Sequence, residues 1–462
     1  MCRVFLSIAL LLAAPIVSAQ YSEDLFVSLG RLEPPSSGTA MSVLATLWNR
    51  TSAAVDDVDV DIRSSHPRSV LTASHHPGWP ANQWSCTTLS PQHVRCRADI
   101  APGPIQFIPL VLTIDPVVEG RFGLTVQGTW LSGGVTAQSR PTSEELVLHR
   151  KVTVTNTLDA GPGSLREAIE TLNGACARDQ VPCLVQFAIP GTLAENEWHP
   201  IRLHAPLPPV TAPDFAIRAE PQGGGLPAVA IDGSLLATGH GLDIRGEGPA
   251  EVDGLAIGGF PWDGVTISRR NAAPFRTTLT RLRIGVRPDR TPAGNGSRGV
   301  TVNAPASRIW IGGNWIAANG RSGVFIAGAT GVVVSSNAIG SAVGGESALR
   351  NGASAVFAGP GTRDVEIASN YLQGNGHFGV AIARGASGVR LTGVNRIEDN
   401  GQLRVDYGLD GYSGTVREGS DPRTSRTPAP RIESAHYDPV ANRTTLRGTF
   451  DVPDPSTEWT VT

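Results

Sequence analysis

Six charged or aromatic side chains lie in two short insertions of the sequence, residues 286–294 and 341–350, or in the coil between them. They are Arg287, Asp289, Arg290, Trp315, Glu346 and Arg350. An indole face packs well on a sugar ring, and guanidinium and carboxylate groups hydrogen-bond to hydroxyl and acidic substituents. The set predicts a groove that binds an extended sugar chain. The alternative is that both insertions are surface loops without a role, since solenoid loops vary at little cost.

Three acidic residues near the end of the repeats, Asp399, Asp406 and Asp410, are candidates for a catalytic group. Paired carboxylates there would serve hydrolysis, or lyase chemistry with Ca²⁺. The simpler interpretation, solvated turn residues, is favoured. Apart from Ca²⁺ under the lyase alternative, the sequence predicts no cofactor, because it has neither a phosphate-binding Gly-rich loop with Lys nor Cys/His metal-site spacing.

Two histidines invite a catalytic interpretation. The segment Gly239-His240-Gly241 resembles the Gly-His-Gly segment of polygalacturonases, β-helix hydrolases that cleave with clustered aspartates. The other parts of that signature are missing, so a structural role is favoured for His240. His377 occupies a repeat position that accepts other side chains, which predicts an exposed turn residue. The equivalent residues are Ser297, Arg321, Ala353 and Gln402.

A repeated sequence must position these side chains. An Asn-Gly phrase recurs at intervals of 24, 32, 24 and 25 residues, at Asn295, Asn319, Asn351, Asn375 and Asn400. A second phrase, an apolar-x-apolar pair followed by Asn, interleaves with it at Asn314, Asn337, Asn370 and Asn395. Self-similarity at such a period is the signature of a solenoid.

The phrases predict the kind of solenoid. Apolar residues two apart face one side of a strand, and each phrase is too short for a useful helix. Asn and Gly tolerate positive φ, which we expect at the turns, and asparagines one coil apart should form a hydrogen-bonded ladder. Short strands stacked about 4.8 Å apart make a parallel β-helix. Residues 151–412 have room for about ten coils, a rod of roughly 50 Å.

The insertions occupy one point of the coil. Ile284-Gly285 and Ile339-Gly340 precede them, whereas the coil between takes a short path after Ile316. Both loops should therefore project from one side, with the short coil as the floor of the predicted groove.

Residues 20–150 differ in character. Alternating apolar runs between Pro, Ser, Gly and Asp clusters predict a β-sandwich. Trp84-Ser85-Cys86, followed by Val94-Arg95-Cys96 and the apolar run 108–112, resembles the immunoglobulin-like repeat domains of bacterial surface proteins. The acidic run 56–61 alternates with Val, which favours one solvated strand face over a calcium site.

Four cysteines remain once a predicted signal peptide is removed, and their spacing predicts two local disulfides, Cys86–Cys96 and Cys176–Cys183. Three pairings are possible in principle, and local closure is the simplest.

A short helix is predicted after Gly163. Ser164 and Glu167 form a capping box, and Leu165, Ala168, Ile169 and Leu172 have helical spacing. The phrase from Ser164 to Ala168 resembles the Ser-Leu-Arg-Glu-Ala motif of secreted bacterial proteins with right-handed parallel β-helices of the pectate-lyase-like superfold. The resemblance implies a helix that covers the first coil, with structural roles for Arg166 and Glu167.

The ends of the sequence predict export. Residues 1–19 have the basic start, short apolar run and small terminal residues of a secretory signal, so a secreted or cell-surface location is expected. No other stretch reaches membrane length. Residues 413–430 are predicted to form a polar linker, and residues 431–462 a partial C-terminal β segment. With a net charge of −3, nucleic acid is not an expected partner.

The sequence thus predicts an all-β, secreted or surface-bound right-handed parallel β-helix preceded by an immunoglobulin-like sandwich. The favoured function is binding or adhesion to a polysaccharide or another cell-surface component. The alternative is a polysaccharide lyase or glycoside hydrolase acting on uronic-acid polymers, so catalysis stays open, and a third is a structural spacer. Fold alone does not choose among them.

Overall fold

The computed structural model describes the following residues: 25–31, 41–65, 67, 70–75, 85–100, 110–114, 119–132, 134–194, 197–221, 226–270, 276–340, 349–409, 431–438 and 443–449. They form two compact units, 1–149 and 150–462. The predicted signal peptide, Glu346, Asp410 and the predicted linker lie outside the described residues. None of the described helices has the length and apolar character that a membrane crossing requires.

The first unit consists of two antiparallel sheets around one buried core. One sheet has the order β1-β2-β7-β4, and the other has the order β10-β8-β3-β6-β5, with β9 paired to β8. The strands are β1 (Leu25–Arg31), β2 (Met41–Asn49), β3 (Val55–Ser64), β4 (Leu71–His75), β5 (Ser85–Ser90), β6 (His93–Ile100), β7 (Leu110–Ile114), β8 (Gly120–Ser132), β9 (Val135–Gln138) and β10 (Thr142–Leu148). Its assignment to the immunoglobulin class stays a prediction.

The acidic run forms one face of β3. Val58, Val60 and Ile62 are buried, while Asp59 and Asp61 point to the other side. Their carboxylates pair with arginines of the neighbouring strand β6: Asp59 with Arg97 at 2.7 Å and Asp61 with Arg95 at 2.9 Å. Alternation along the strand therefore explains the run, as the period-2 pattern predicts.

The second unit is a right-handed parallel β-helix with three stacked sheets. It contains β11 (Arg150–Val154), α1 (Leu165–Thr171), a π-helical turn (Leu172–Cys176), α2 (Ala177–Asp179), β12 (Cys183–Phe187), β13 (His199–Arg202), β14 (Phe215–Arg218), β15 (Val229–Asp232), β16 (Leu242–Ile244), β17 (Ala250–Asp253), β18 (Leu255–Gly258), β19 (Val265–Ile267), β20 (Thr277–Thr280), β21 (Arg283–Ile284), β22 (Val300–Asn303), β23 (Ser307–Gly312), β24 (Trp315–Ile316), β25 (Val324–Ala327), β26 (Thr330–Ser335), β27 (Ala338–Gly340), β28 (Val356–Ala358), β29 (Arg363–Ala368), β30 (Tyr371–Gln373), β31 (Val380–Ile382), β32 (Ser387–Thr392), β33 (Arg396–Glu398) and β34 (Val405–Tyr407). A separate antiparallel hairpin joins β35 (Arg431–Asp438) to β36 (Arg443–Thr449).

The three sheets follow one another around each coil. The first sheet has nine strands in the order β11-β12-β14-β17-β20-β23-β26-β29-β32. The second has eight, β13-β15-β18-β21-β24-β27-β30-β33, and the third has seven, β16-β19-β22-β25-β28-β31-β34. Apolar side chains from all three meet in one core, because each strand turns its Val, Ile and Leu inward.

The predicted asparagine ladders are present. At the corner between the first and second sheets, the Asn314 Nδ2 donates to Asn337 Oδ1 at 2.9 Å, and Asn337 donates to Asn370 at 3.0 Å. A second ladder follows the next corner, through Asn295, Asn319, Asn351, Asn375 and Asn400. These amides also satisfy strand carbonyls, such as Ile311 O at 2.8 Å from Asn337 Nδ2.

We expected positive φ at the glycine that follows each asparagine of the second ladder, but these glycines do not have it. The left-handed residue instead precedes the asparagine, as at Ala318 with φ of 62° and Gly374 with φ of 66°. A Cβ on Gly352 would lie 2.2 Å from the carbonyl oxygen of Gly320, and one on Gly376 would lie 2.4 Å from that of Gly352. Close approach of successive coils therefore excludes a side chain.

The opening helix α1 has the predicted cap. Ser164 Oγ accepts from the Glu167 N–H at 3.2 Å, and the Glu167 carboxylate accepts from the N–H of Gly163. The four predicted apolar residues are buried in the coil core. Arg166 pairs with Asp159 at 2.8 Å and donates to three backbone carbonyls, so its contacts are structural.

Both predicted disulfides, Cys86–Cys96 and Cys176–Cys183, are formed. Cys86 and Cys96 face each other across β5 and β6, whereas Cys176 ties the turn after α1 to the start of β12.

Candidate functional site

An open groove of about 430 Å³ runs along the outer face of the second sheet and the corner that precedes it. We call it the second-sheet groove. Its floor is built of the first asparagine ladder and small side chains, and two arginines and two aromatic rings rise from it. The lining residues are Arg283, Arg290, Gly313, Asn314, Trp315, Ser336, Asn337, Ala338, Ser369 and Tyr371.

The register of the second sheet aligns these side chains in one column. Arg283, Trp315, Ala338, Tyr371 and Arg396 are paired neighbours on successive strands. Each directly precedes an apolar residue of the coil core, so it points outward. With strands about 4.8 Å apart, the indole and phenol rings stand roughly 10 Å apart along the rod. Ala338 leaves the surface low between them.

Cations bracket the two rings. The guanidinium carbon of Arg283 lies 5.3 Å from the Trp315 ring centroid, and that of Arg396 lies 5.6 Å from the Tyr371 ring. Arg283 also donates to the backbone carbonyls of Arg287 and Pro288, which holds the insertion in place. Burial, and then the charge of Arg290, lower the pKa of Arg283. An arginine nevertheless stays protonated at neutral pH, so this end of the groove is cationic.

The structure places some of the sequence-predicted residues here. Arg290 and Trp315 line the second-sheet groove. Arg287 instead lines a separate small cavity beside Asp232, and its guanidinium donates to Pro292 O at 3.1 Å. The carboxylate of Asp289 accepts from the Thr291 N–H and hydroxyl and so closes its own turn.

Of the second insertion, only residues 349 and 350 are among the described residues. Arg350 is exposed and is not among the groove's lining residues, and Glu346 lies outside the described residues. Sequence reasoning missed Arg283, Tyr371 and Arg396. Their common position, one residue before a core Ile or Leu of the second sheet, is a signal that would have found them.

The acidic candidates do not form a cluster among the described residues. Asp399 accepts from Gln373 Nε2 at 3.0 Å, whereas Asp406 is buried in β34 of the third sheet. No group of three or more His, Cys, Asp or Glu in the described parts of the chain could hold a metal ion. Asp410 lies outside the described residues. His377 is exposed, as predicted, with its ring 6.5 Å from Phe378.

Comparison with known proteins gives structural similarity only. No protein-family model matches the sequence, and no curated protein matches it. Among solved structures, the A-module of the mannuronan C-5 epimerase AlgE6 from Azotobacter vinelandii is 14% identical, with 55% of this chain and 78% of that chain covered and a TM-score of 0.34. A double mutant of the periplasmic alginate epimerase AlgG is 11% identical, with a TM-score of 0.31, and the match covers 56% of this chain and 56% of AlgG.

A cohesin module from a Clostridium perfringens ATCC13124 family 33 glycoside hydrolase matches a shorter part. It is 14% identical, with a TM-score of 0.22, and the match covers 26% of this chain and 94% of the module. Similarity at this level assigns no activity to the chain.

Proposed function

We propose that the protein binds an acidic polysaccharide along the second-sheet groove and acts as an exported binding or adhesion module. The observation that carries the proposal is the column in which Trp315 and Tyr371 alternate with small and cationic residues. An extended sugar chain lying parallel to the rod would stack on both rings. Its carboxylates would lie beside Arg283 and Arg290, whereas Arg396 is already paired with Glu398 at 2.8 Å.

Charge favours a polyanion over a neutral chain. Arg283 and Arg290 line the groove, and none of its described lining residues carries a carboxylate. The same composition supports binding over hydrolysis, since a glycosidase needs two acidic groups facing one bond. Two disulfides are consistent with export, because such bonds persist in oxidising compartments.

The test is calorimetric titration with oligouronates of increasing length. We expect Trp315→Ala and Tyr371→Ala each to weaken binding roughly 5- to 10-fold, the loss expected for one stacked ring. Affinity should also fall with added salt. Trp310→Ala is the matched control, because Trp310 carries a similar arginine contact, with Arg276 4.6 Å from its ring, but lies on the first sheet.

Equal losses in the Trp315 and Trp310 variants, or no binding at any length, would exclude the groove. The same samples should be assayed for unsaturated products and new reducing ends. Release of either would favour the lyase or hydrolase alternative.

A further inference from the structure

A second cluster of polar and aromatic side chains lies at the third sheet, away from the second-sheet groove. His240, Asp263 and Arg298 occupy the same position on three successive coils, since Gly241 N–H donates to Asp263 O and Gly264 N–H donates to Arg298 O. The coils are about 4.8 Å apart, so the three residues span roughly 10 Å along the rod. We call these residues, together with Trp262 and Thr266, the His240 cluster.

Hydrogen bonds orient the imidazole of His240. The backbone N–H of Asp263 donates to His240 Nδ1 at 3.3 Å, and the Thr266 hydroxyl lies 3.0 Å from the same atom. A backbone N–H can only donate, so this contact favours the tautomer in which Nδ1 accepts and Nε2 carries the proton. The ring is half-buried, and it presents an N–H donor rather than a general base.

The carboxylate of Asp263 contacts other members of the His240 cluster. Its side chain is 7% exposed, and one carboxylate oxygen accepts from the Arg298 N–H at 2.9 Å. The other oxygen lies 3.4 Å from the Thr266 hydroxyl. The same oxygen lies 3.8 Å from His240 Nδ1, so the carboxylate contacts all three of its neighbours in the cluster.

The guanidinium of Arg298 is the cation of the cluster, and it lies against an aromatic ring. Its guanidinium carbon lies 4.0 Å from the Phe325 ring centroid, and among the described residues the group makes no hydrogen bond. Burial lowers the pKa of Arg298 most, the Asp263 carboxylate acts in the opposite direction, and the charge of Arg321 lowers the pKa by less. A partly desolvated cation is stabilised further when an anion binds.

Trp262 provides an exposed ring on which a sugar could stack. The indole is 47% exposed, and its ring stands edge-on to His240 with the centroids 5.0 Å apart. An exposed indole next to an N–H donor and a cation is the combination that holds a sugar ring by one face and an acidic substituent by its edge.

We propose that the His240 cluster is a separate binding site for a single uronic-acid residue, stacked on Trp262 with its carboxylate facing Arg298 and the Nε2–H of His240. The site stands independently of the second-sheet groove, because it lies on a different sheet and shares no residue with it. A protein with both sites would hold acidic glycan on two faces of one rod.

The experiment uses the full chain and small probes. Methyl glucuronoside should bind, whereas methyl glucoside, which lacks the charge, and acetate, which lacks the ring, should bind at least tenfold more weakly. Arg298→Gln and Trp262→Ala should each reduce methyl glucuronoside binding at least fivefold, and Arg298→Lys should restore part of the loss. Arg276→Gln and Trp310→Ala, a pair on the first sheet, are the matched controls.

Far-UV circular dichroism and urea unfolding report whether each variant is folded. If methyl glucuronoside binds Arg298→Gln and Trp262→Ala as tightly as the unmodified protein, or if acetate binds equally well, the proposal is wrong. Trp315→Ala should leave methyl glucuronoside binding unchanged, so failure of the groove and failure of this site are distinguishable.

Discussion

Replacing Asn337 with alanine tests the ladder on which the coil architecture depends. Asn337 is 2% exposed, and its Oδ1 accepts from the backbone N–H and the side-chain amide of Asn314. Its amide nitrogen lies 2.8 Å from Ile311 O, 3.0 Å from Ser335 O and 3.0 Å from Asn370 Oδ1. The amide has only two hydrogens for these three acceptors, so it counts as about two bonds. With the two bonds that Oδ1 accepts, the substitution removes about four hydrogen bonds.

Each such bond contributes about 1 kcal/mol net, and buried partners left unsatisfied cost more, so Asn337→Ala should destabilise by about 3–5 kcal/mol. Asn395→Ala is a graded control. The side chain makes similar bonds to Asn370, Ile367 and Thr392 but is half-buried. Because water can replace its lost partners, we expect only about 1–2 kcal/mol there.

Urea unfolding measures the free-energy change, and hydrogen exchange of residues 309–340 locates it, since a solenoid can open part of its length. Ser335→Ala, which removes only an exposed hydroxyl contact with Ser336, should be close to neutral. The reasoning fails if Asn337→Ala costs no more than Asn395→Ala, or if exchange is unchanged beside the substituted rung.

Three further perturbations have clear expected outcomes. Gly352→Ala should destabilise the coils by about 1–3 kcal/mol, since the new Cβ would overlap a carbonyl oxygen, and urea unfolding would measure the change. Reducing the Cys176–Cys183 bridge should cost about 2–3 kcal/mol for a loop of this length, seen as a lower urea midpoint. The hydrogen bond from Arg97 lowers the pKa of Asp59 below its value of 3.8 in the unfolded chain. The ion pair therefore stabilises the first unit fully above that pH, and the stabilisation is lost as the pH falls through the folded-state pKa. Thermal unfolding at about pH 7 and about pH 3 would measure the difference.

Each of these has a control. Gly174→Ala meets no atom within 4 Å and should be neutral or stabilising. A Cys176→Ser/Cys183→Ser variant, which keeps Cys86–Cys96, should show the loss due to this bridge alone. Asp59→Asn should flatten the acid side of the stability profile; a profile as steep as that of the unmodified protein would contradict the role given to the ion pair.

The sequence predicted the coil because its determinants recur. Asn314 and Asn337 sit at fixed distances from apolar pairs, so period alone placed them in one column. The groove was only partly predictable, because its members are adjacent through register rather than through sequence. Tyr371 and Trp315 share a column because both of their strands pair with β27. The second insertion follows β27 and lengthens that coil, so spacing in the sequence does not show the pairing.

Loop residues are the hardest to place from sequence, because they can bond within their own turn. Asp289 was assigned to the groove by its charge, but a short carboxylate in a turn readily bonds its own backbone, and it does so here. His240 was assigned a structural role because its motif was incomplete. The contacts that give it a defined tautomer come from the following coil, which the motif does not include.

The close stacking of coils has a consequence for the chemical lifetime of the protein. Asn-Gly sequences are the most prone to deamidation, in which the nitrogen of the glycine attacks the asparagine side chain to form a succinimide. In the described repeats that nitrogen is already committed, as in the bonds from Gly320 N–H to Asn295 O at 2.8 Å and from Gly376 N–H to Asn351 O at 2.8 Å. Folded coils should therefore age slowly, and mass-spectrometric detection of aspartate or isoaspartate at these sites would report which rungs have opened.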